Sequence, residues 1–295
     1  MKWLVLYNPY AAGGKGEAAV RGEQCFQQAD AEFYDMTHIT SYARFFAGMD
    51  AEDSVVICGG DGTLNRFLND TQGLDIANAL YYYASGTGND FLRDVGAPEG
   101  SVMIGLKPYL RDLPTVCVHG KTYRFLNNVG FGIDGYCTEV GDRMREAHKE
   151  NINYTRIAIK GLLGGFHPVN ATVTVDGVTR SYKKVWLAPT MKGRYYGGGM
   201  MPAPEQDRND AAHSVSVMVY HGVGKLRALM VFPSIFKGGH VRHKDMVDVL
   251  SGQNICVRFD RPTPLQIDGE TIPDVTEYRV RTAAAEAAAD CARIG

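Results

Sequence analysis

No run of the 295 residues approaches the ~18 consecutive apolar positions that a membrane-spanning helix needs. Any membrane partner is therefore expected to be met from its surface. The opening residues offer Lys2 and then only Trp3–Tyr7 before Asn8-Pro9, too short a stretch for a secretory leader, so a cytoplasmic chain is expected. Charge of one sign is not in excess: 31 Lys and Arg stand against 33 Asp and Glu, a net of -2 with neutral His. That balance gives no electrostatic case for nucleic acid. Cysteine is sparse, and Cys25, Cys58, Cys117, Cys137, Cys256 and Cys291 show no paired metal spacing. Several sit in apolar runs, which fits reduced thiols in a reducing compartment. The histidines also lack metal spacing, and none is given a catalytic role. Internal repeats, low-complexity linkers and long charge blocks are missing as well. With 45% hydrophobic residues, the chain can bury a large core and is long enough for two domains.

The most informative stretch is Val55-Val56-Ile57-Cys58-Gly59-Gly60-Asp61-Gly62-Thr63-Leu64-Asn65. It reads as a short buried strand, a Gly-rich turn and a helix start. Glycine permits positive φ and close backbone approach to a ligand, while Thr63 and the first helical N–H groups face one point. Such a turn suits phosphate. Asp61 would repel phosphate unless a cation lies between them or its carboxylate holds the turn by accepting backbone N–H bonds.

Two more turns have this character. Trp3–Tyr7 reads as a strand that runs into Asn8-Pro9-Tyr10-Ala11-Ala12-Gly13-Gly14-Lys15-Gly16, without the spacing of a Walker A loop or of Gly-x-Gly-x-x-Gly. Lys15 could approach phosphate or simply be solvated. Ala79–Tyr83 leads into Ala84-Ser85-Gly86-Thr87-Gly88-Asn89-Asp90-Phe91, in which Asn89 and Asp90 are good helix N-caps. Three such loops at the carboxyl ends of successive strands point to a ligand-binding edge of an open α/β sheet.

Taken in order, Asn8-Pro9, Gly59–Asn65 and Gly86–Phe91 resemble the soluble bacterial diacylglycerol kinase and lipid kinase family, with sphingosine, ceramide and NAD kinases as wider relatives. The similarity continues through Asn127-Asn128-Val129-Gly130-Phe131-Gly132-Ile133-Asp134, Gly197-Gly198-Gly199-Met200 with Ala203-Pro204, and Leu265-Gln266-Ile267-Asp268-Gly269-Glu270. The ordered blocks span about residues 4 to 270.

Periodicity divides the chain. Up to about Pro114, short apolar strands alternate with helical stretches at Gly16–Ala29, Ser41–Gly48 and Leu64–Asp70, the pattern of a doubly wound α/β sheet. Beyond it, strands are expected at Thr115–His119, Thr122–Leu126, Ala171–Val175, Tyr182–Ala188, Val215–Tyr220, Asn254–Phe259 and Pro264–Ile267, with a hairpin turn at Asp176-Gly177. That region predicts a mostly antiparallel β-sandwich, interrupted by helices at about Gly135–Glu146, Tyr154–Leu163 and Gly224–Phe236. The expected domains are residues 1–114, NAD-kinase-like by resemblance, and 115–280. The tail at about 281–295 is helix-prone, and the resemblance implies that it returns to the first domain.

Phosphoryl transfer to an alcohol needs the γ-phosphoryl held in line, its charge neutralised by metal, and a carboxylate that orients or deprotonates the hydroxyl. The resemblance implies Mg-ATP along Asn8, Thr37, Gly59, Gly60, Asp61, Gly62, Thr63, Asn65, Thr87 and Asn89. Taken alone, Thr37 is more often a cap. It implies catalytic work by Asp268 and Glu270 at an interdomain cleft, one taking the proton and the other tying it to a metal-water network; which does which stays open. From spacing alone, Asp268-Gly269-Glu270 is an ordinary hairpin turn. The resemblance further implies a structural Mg²⁺ on Asp210, linked to the active site by Asp134. Ala211 and Asn209 depart from the family pattern there, and a solvated acidic loop of Glu205, Asp207 and Asp210 is the alternative.

The expected activity is ATP-dependent phosphorylation of diacylglycerol or a similar lipid alcohol, by a cytoplasmic protein that reaches its lipid at the membrane surface; the resemblance alone implies a homodimer, and the oligomeric state is not readable from the sequence. The alternatives are an NAD-kinase-like enzyme with a soluble substrate and a non-catalytic nucleotide-binding regulator. Val231–Lys237, with His240, Arg242, His243 and Lys244 after it, combines apolar bulk and positive charge; it reads as a core-packed helix with a solvated basic end, or as a lipid-docking segment. Head-group and acyl preference are not readable from the sequence.

Overall fold

The computed structural model describes residues 2–85, 89–97, 103–147, 152 and 154–285, the side chains of residues 12, 13 and 155 excepted. Contacts divide the chain into two compact units, Met1–Arg111 and Asp112–Gly295.

The first unit runs β1 (Trp3–Tyr7), α1 (Ala11–Gly14), α2 (Gly16–Arg21), α3 (Gln24–Gln27), β2 (Ala31–Asp35), a 3₁₀ turn (Met36–His38), α4 (Tyr42–Ala47), β3 (Ser54–Gly59), α5 (Asp61–Asp70), β4 (Ala79–Ala84), α6 (Asp90–Asp94), β5 (Met103–Gly105) and α7 (Lys107–Leu110). The strands order β2-β1-β3-β4-β5, parallel except for β5, which runs antiparallel to β4. Leu4, Val5, Leu6, Val55, Val56 and Ile57 are all buried. Strands covered on both faces read as unbroken apolar runs, which is why β1 and β3 stood out from sequence. β2 at the edge is only half-buried. The strand order reverses between β1 and β3, and open sheets of this kind bind ligands outside the carboxyl ends of the strands at that switch point.

The single helix expected over Gly16–Ala29 is two helices. Gly22 closes α2, and Glu23 is extended (φ -74, ψ 126), which stops propagation. Ser41 caps α4 by accepting the Arg44 N–H, and α5 starts at Asp61, earlier than the apolar spacing indicated.

The second unit runs β6 (Thr115–Val118), β7 (Lys121–Arg124), β8 (Asn128–Gly132), α8 (Ile133–Glu146), α9 (Tyr154–Lys160), a π-helical turn (Gly161–Gly165), β9 (Val169–Val175), β10 (Val178–Val185), β11 (Leu187–Met191) and β12 (Val215–Tyr220). It continues with α10 (Lys225–Val231), 3₁₀ turns (Phe232–Lys237, Gly239–Arg242), β13 (Val247–Gly252), β14 (Asn254–Ile267) and β15 (Glu270–Arg281). The sheet is antiparallel and sandwich-like, with the path β13-β12-β11-β8-β14-β15-β6-β7 and the β9–β10 hairpin attached to β14. β14 joins both parts: Ile255–Phe259 pair with β9, and Leu265–Ile267 pair with β8. One core of Val116, Phe125, Phe131, Val173, Val257 and Tyr278 fills one side. A second, of Ile133, Leu162, Trp186, Ala228, Val231 and Ile235, lies between sheet and helices.

The strand expected over Tyr182–Ala188 is two strands. β10 pairs β9 up to Val185, and after Trp186 the chain joins β8 and β12 as β11. Trp186 marks the transfer: it is fully buried, and its indole N–H donates to Val223 O at 3.0 Å. β8, β13 and β15 were missed because Gly130 and Gly132 disguise the first, while Pro273 and Asp274 interrupt the pattern of the last. The helix expected over Gly224–Phe236 turns 3₁₀ after Val231, where Pro233 supplies no N–H. The Asp176-Gly177 hairpin is present, with φ of +47° and +85°. Arg281 and Thr282 still belong to the second sheet, Thr282 N donating to Gln253 O; residues 286–295, where the tail was expected to return to the first domain, lie outside the described residues. Among the described residues no helix is long and apolar enough to cross a membrane.

Candidate active site

In the first unit the loops leaving β1, β3 and β4 are tied to one another by side chains. Asn8 accepts the Tyr10 N–H on Oδ1 at 3.0 Å and donates from Nδ2 to Thr63 Oγ1 at 3.0 Å, bridging the switch point. Asp61 opens α5, yet its carboxylate reaches α6, accepting the Asp90 N–H at 2.8 Å and the Phe91 N–H at 3.4 Å. Of the two roles open to Asp61, the geometry supplies the hydrogen-bonding one: a carboxylate at a helix N-terminus satisfies orphan donors and complements the dipole. Asn89 stands at the N-cap of α6, but its side chain makes no cap bond; Asp61 does that work instead.

Glycine acts here through close approach. A Cβ on Gly59 would lie 2.5 Å from Thr63 Oγ1, and one on Gly16 would lie 2.0 Å from Asn8 O. Gly60, at φ -99°, does not use the left-handed region. The Gly59 carbonyl accepts from Ser85 N and Tyr82 OH, both at 3.1 Å, so the strand end is fastened to β4. Burial, then the charge of Asp61, raises the Tyr82 phenol well above its ordinary range.

Asn65 is buried, with Oδ1 accepting from Asn69 at 3.1 Å. Thr37 donates to Asp35 and holds the 3₁₀ turn after β2, as a cap would. Lys15 is exposed, and Thr87 lies outside the described residues. The Ser85 hydroxyl, just after β4, is buried without a hydrogen-bond partner among the described residues. An orphaned donor, helix N-termini and close-packed glycines fit the phosphates of a nucleotide, whose Mg²⁺ would arrive with it as substrate.

In the second unit Asp268 and Gly269 form a two-residue hairpin turn between β14 and β15, with φ of +45° and +96°. The Asp268 carboxylate is 6% exposed and accepts three backbone N–H bonds, from Leu126 at 2.5 Å and from Asn127 and Asn128 at 2.8 Å. The turn is thereby fastened to the entry of β8. Asp176 plays a similar part in the other Asp-Gly hairpin, accepting from Gln253 N and Asn254 N, but at an exposed position. Anchoring alone therefore does not distinguish Asp268; its surroundings do.

Arg208, which sequence reasoning missed inside the acidic group, clamps the same entry segment. It donates to Leu126 O at 2.6 Å and Asn127 Oδ1 at 2.9 Å from a buried position. Gln266 faces Gly130 across the β8–β14 ladder, and its Oε1 accepts Gly269 N at 2.8 Å. Asp134 packs over Gly130, where a Cβ would lie 2.3 Å from its Oδ2. Tyr196, brought round by the Gly197-Gly198-Gly199 turn, donates to Asp134 Oδ1 at 2.5 Å. Burial pushes the Asp134 carboxyl up to about 8, against the pull of that bond. Asn128 Nδ2, Gln266 Nε2 and Asp134 Oδ2 are buried without partners among the described residues. Three orphaned polar atoms around one glycine mark a place built to receive water or a ligand group. Glu270 is exposed at the start of β15.

Asp210, on which the family resemblance implies a structural Mg²⁺, is engaged by its own loop. Its oxygens accept from Ala212 N at 3.1 Å, Ser214 N at 3.2 Å and Ser214 Oγ at 2.5 Å. The Ser214 hydroxyl, then the backbone N–H groups, lower its pKa. Asp207 is occupied by Asn209 N, and no cluster of three or more metal-ligating side chains occurs among the described residues. A cation is already at hand: buried Lys192, lowered by burial and by Arg208 and supported by the charges of Asp112, Asp210 and Asp207. Ala211 in place of glycine, and Asn209 in place of an acid, belong to a loop that closes on itself.

Comparison with known proteins gives the class, since both units match domain families of kinases. The second unit matches the family described as the YegS C-terminal NAD kinase beta sandwich-like domain over residues 127–285, more than half of the chain, and the first matches the diacylglycerol kinase catalytic domain over residues 2–111. The chain belongs to this family of diacylglycerol-kinase-like enzymes. Curated relatives include a diacylglycerol kinase of Mycobacterium tuberculosis, 26% identical over 92% of this chain and 93% of the relative. A diacylglycerol kinase of Bacillus subtilis is 21% identical over 90% and 88%. Among solved structures, a candidate diacylglycerol kinase from Bacillus anthracis str. Sterne shares the fold, with a TM-score of 0.66 at 19% identity over 95% of this chain and 92% of that one.

Proposed function

We propose that this kinase transfers the γ-phosphoryl group of Mg-ATP to the hydroxyl of diacylglycerol or a similar lipid alcohol. The observation that carries this reading is the buried Asp268 turn, with its orphaned polar neighbours, in a chain that matches the diacylglycerol kinase catalytic domain. The loops at Asn8, Gly59–Thr63 and Asn89 hold the nucleotide; Asp268 and Glu270 serve the acceptor. As the bond from the γ-phosphorus to the β,γ-bridging oxygen breaks, one from the acceptor oxygen forms, and the hydroxyl proton passes to this carboxylate pair. Magnesium neutralises charge on the transferring group. The reaction requires the two sets of residues to meet across a cleft during turnover.

The test is label transfer from γ-labelled Mg-ATP by purified protein to diacylglycerol in mixed micelles, to other lipid alcohols and to NAD. Transfer to diacylglycerol is expected, and its loss in Gly59→Ala, where the added methyl displaces Thr63, ties it to the first-unit loops. Label on NAD alone would establish a soluble-substrate kinase instead; bound ATP with no transfer to any acceptor would establish a regulator.

A further inference from the structure

Two helical segments of the second unit leave large apolar side chains in water. Leu226 is 79% and Met230 73% exposed, four residues apart on α10, and exposed Pro233 continues the stripe. On α9 and the π-helical turn after it, Ile159 is 40% and Leu163 59% exposed. The two segments pack against each other, and their inner faces, through Ile157, Ala158, Leu162, Ala228 and Val231, share one core. The outer side chains therefore belong to a common, firmly backed surface. Four exposed aliphatic side chains on adjoining helical segments are more than the scattered single residues of an ordinary surface, and such patches mark interaction sites.

Charge identifies what covers it. Lys160, Lys225 and Lys237 lie in the same segments, are exposed, and have no ion-pair partner among the described residues; Arg227 is matched by Asp245. A second copy docked here across a two-fold axis would set these ammonium groups against their own images. Apolar side chains that enter the acyl boundary, beside lysines that reach lipid phosphates, are the recipe for binding an anionic bilayer surface.

We propose that Ile159, Leu163, Leu226 and Met230, with Lys160, Lys225 and Lys237, form the surface by which this protein docks on anionic membranes. The proposal rests on the lipid-kinase reading for its purpose, because a hydroxyl embedded in a bilayer has to be reached from the interface. For its physical basis it rests only on the surface itself.

Vesicle flotation tests it with the full chain and without ATP, on phosphatidylcholine alone and on phosphatidylcholine with about a third phosphatidylglycerol. Wild type is expected on the anionic vesicles and to be released by salt. Leu226→Asp/Met230→Asp should bind at least ~10-fold more weakly, since two apolar side chains no longer enter the interface. Lys160→Glu/Lys225→Glu/Lys237→Glu should lose ~100-fold on anionic vesicles, at roughly fivefold per lysine, with little change on neutral ones. These side chains face solvent, and unchanged circular dichroism will verify folding. Wild type that ignores anionic vesicles, or an apolar double variant that binds like wild type, overturns the proposal. So does a dimer that becomes monomeric in the double variant while vesicle binding persists.

Phosphorylation of a short-chain diacylglycerol kept below its micelle concentration separates docking from the acceptor assignment. A double variant that keeps this activity and loses activity on vesicles supports docking. Intact vesicle binding with neither acceptor phosphorylated still supports docking, and counts against the lipid-kinase reading alone.

Discussion

Asp61 and Asp90 open successive helices, and the carboxylate of the first accepts the backbone N–H of the second at 2.8 Å. Both are buried. A side chain from one loop thus fixes the next, so the loops behave as one rigid edge. Removing the acceptor by Asp61→Ala should cost about 1–2 kcal/mol, the usual worth of a helix cap. ATP affinity should fall with it, while the magnesium dependence of binding keeps its shape. Calorimetric titration at several magnesium concentrations checks this; a selective loss of magnesium dependence would instead make Asp61 a metal ligand.

Asp268→Asn is expected to abolish turnover, by about 10²–10⁴-fold in kcat, with ATP still bound by the first unit. It should also destabilise the protein by about 1–3 kcal/mol, because an amide NH₂ cannot accept the three N–H bonds that both carboxylate oxygens now receive. Denaturant unfolding and single-turnover kinetics read the two effects separately. Full activity in this variant removes the catalytic assignment.

Stability should fall as pH rises from about 4 to about 8, through Asp134. Its carboxyl titrates near 3.8 when unfolded and is pushed up to about 8 by burial in the native state. The protonated native form is thus favoured at low pH. The advantage is fully present below the unfolded value and is lost progressively as pH climbs through the folded one. Asp134→Asn lacks the titration, so its stability relative to wild type should improve across this range, by at most about 6 kcal/mol. Urea unfolding at pH 5 and pH 8.5 makes the comparison; parallel profiles for the two proteins would show that Asp134 is ionised throughout.

Chelation should leave the melting temperature of the nucleotide-free protein unchanged. The Asp210 loop is closed by Ser214 and Ala212 and has buried Lys192 nearby, so its fold is expected to hold without an ion. Ser214→Ala should cost about 1 kcal/mol by deleting the hydroxyl that Asp210 accepts. Thermal scans with EDTA and with millimolar Mg²⁺ decide the matter, and a clear rise in melting temperature with Mg²⁺ would restore the cation site.

Much of the first unit was readable because its central strands are covered on both faces and so spell continuous apolar runs, and because glycine clusters at their ends. The Asp268-Gly269 and Asp176-Gly177 hairpins were equally plain, since two consecutive positive φ values favour that dipeptide. What escaped were pairings between distant residues. Asp61 meets Asp90 29 positions away, and Tyr196 meets Asp134 62 positions away. Arg208 looked like one charge in an acidic loop, although it is buried against Leu126 and Asn127. Local propensity carries no record of such meetings. Asn128 and Gln266 did lie in motif blocks, but which of their atoms are left unpartnered depends on the ladder register that sets Gln266 opposite Gly130.

Asp268 satisfies Asn128 from 140 positions farther along the chain. During synthesis, the N–H groups at the start of β8 must wait for that distant hairpin to emerge. The corner where β8 meets β14 is therefore among the last parts of the chain to mature, and a polypeptide stalled on the ribosome before residue 268 leaves these N–H groups unsatisfied.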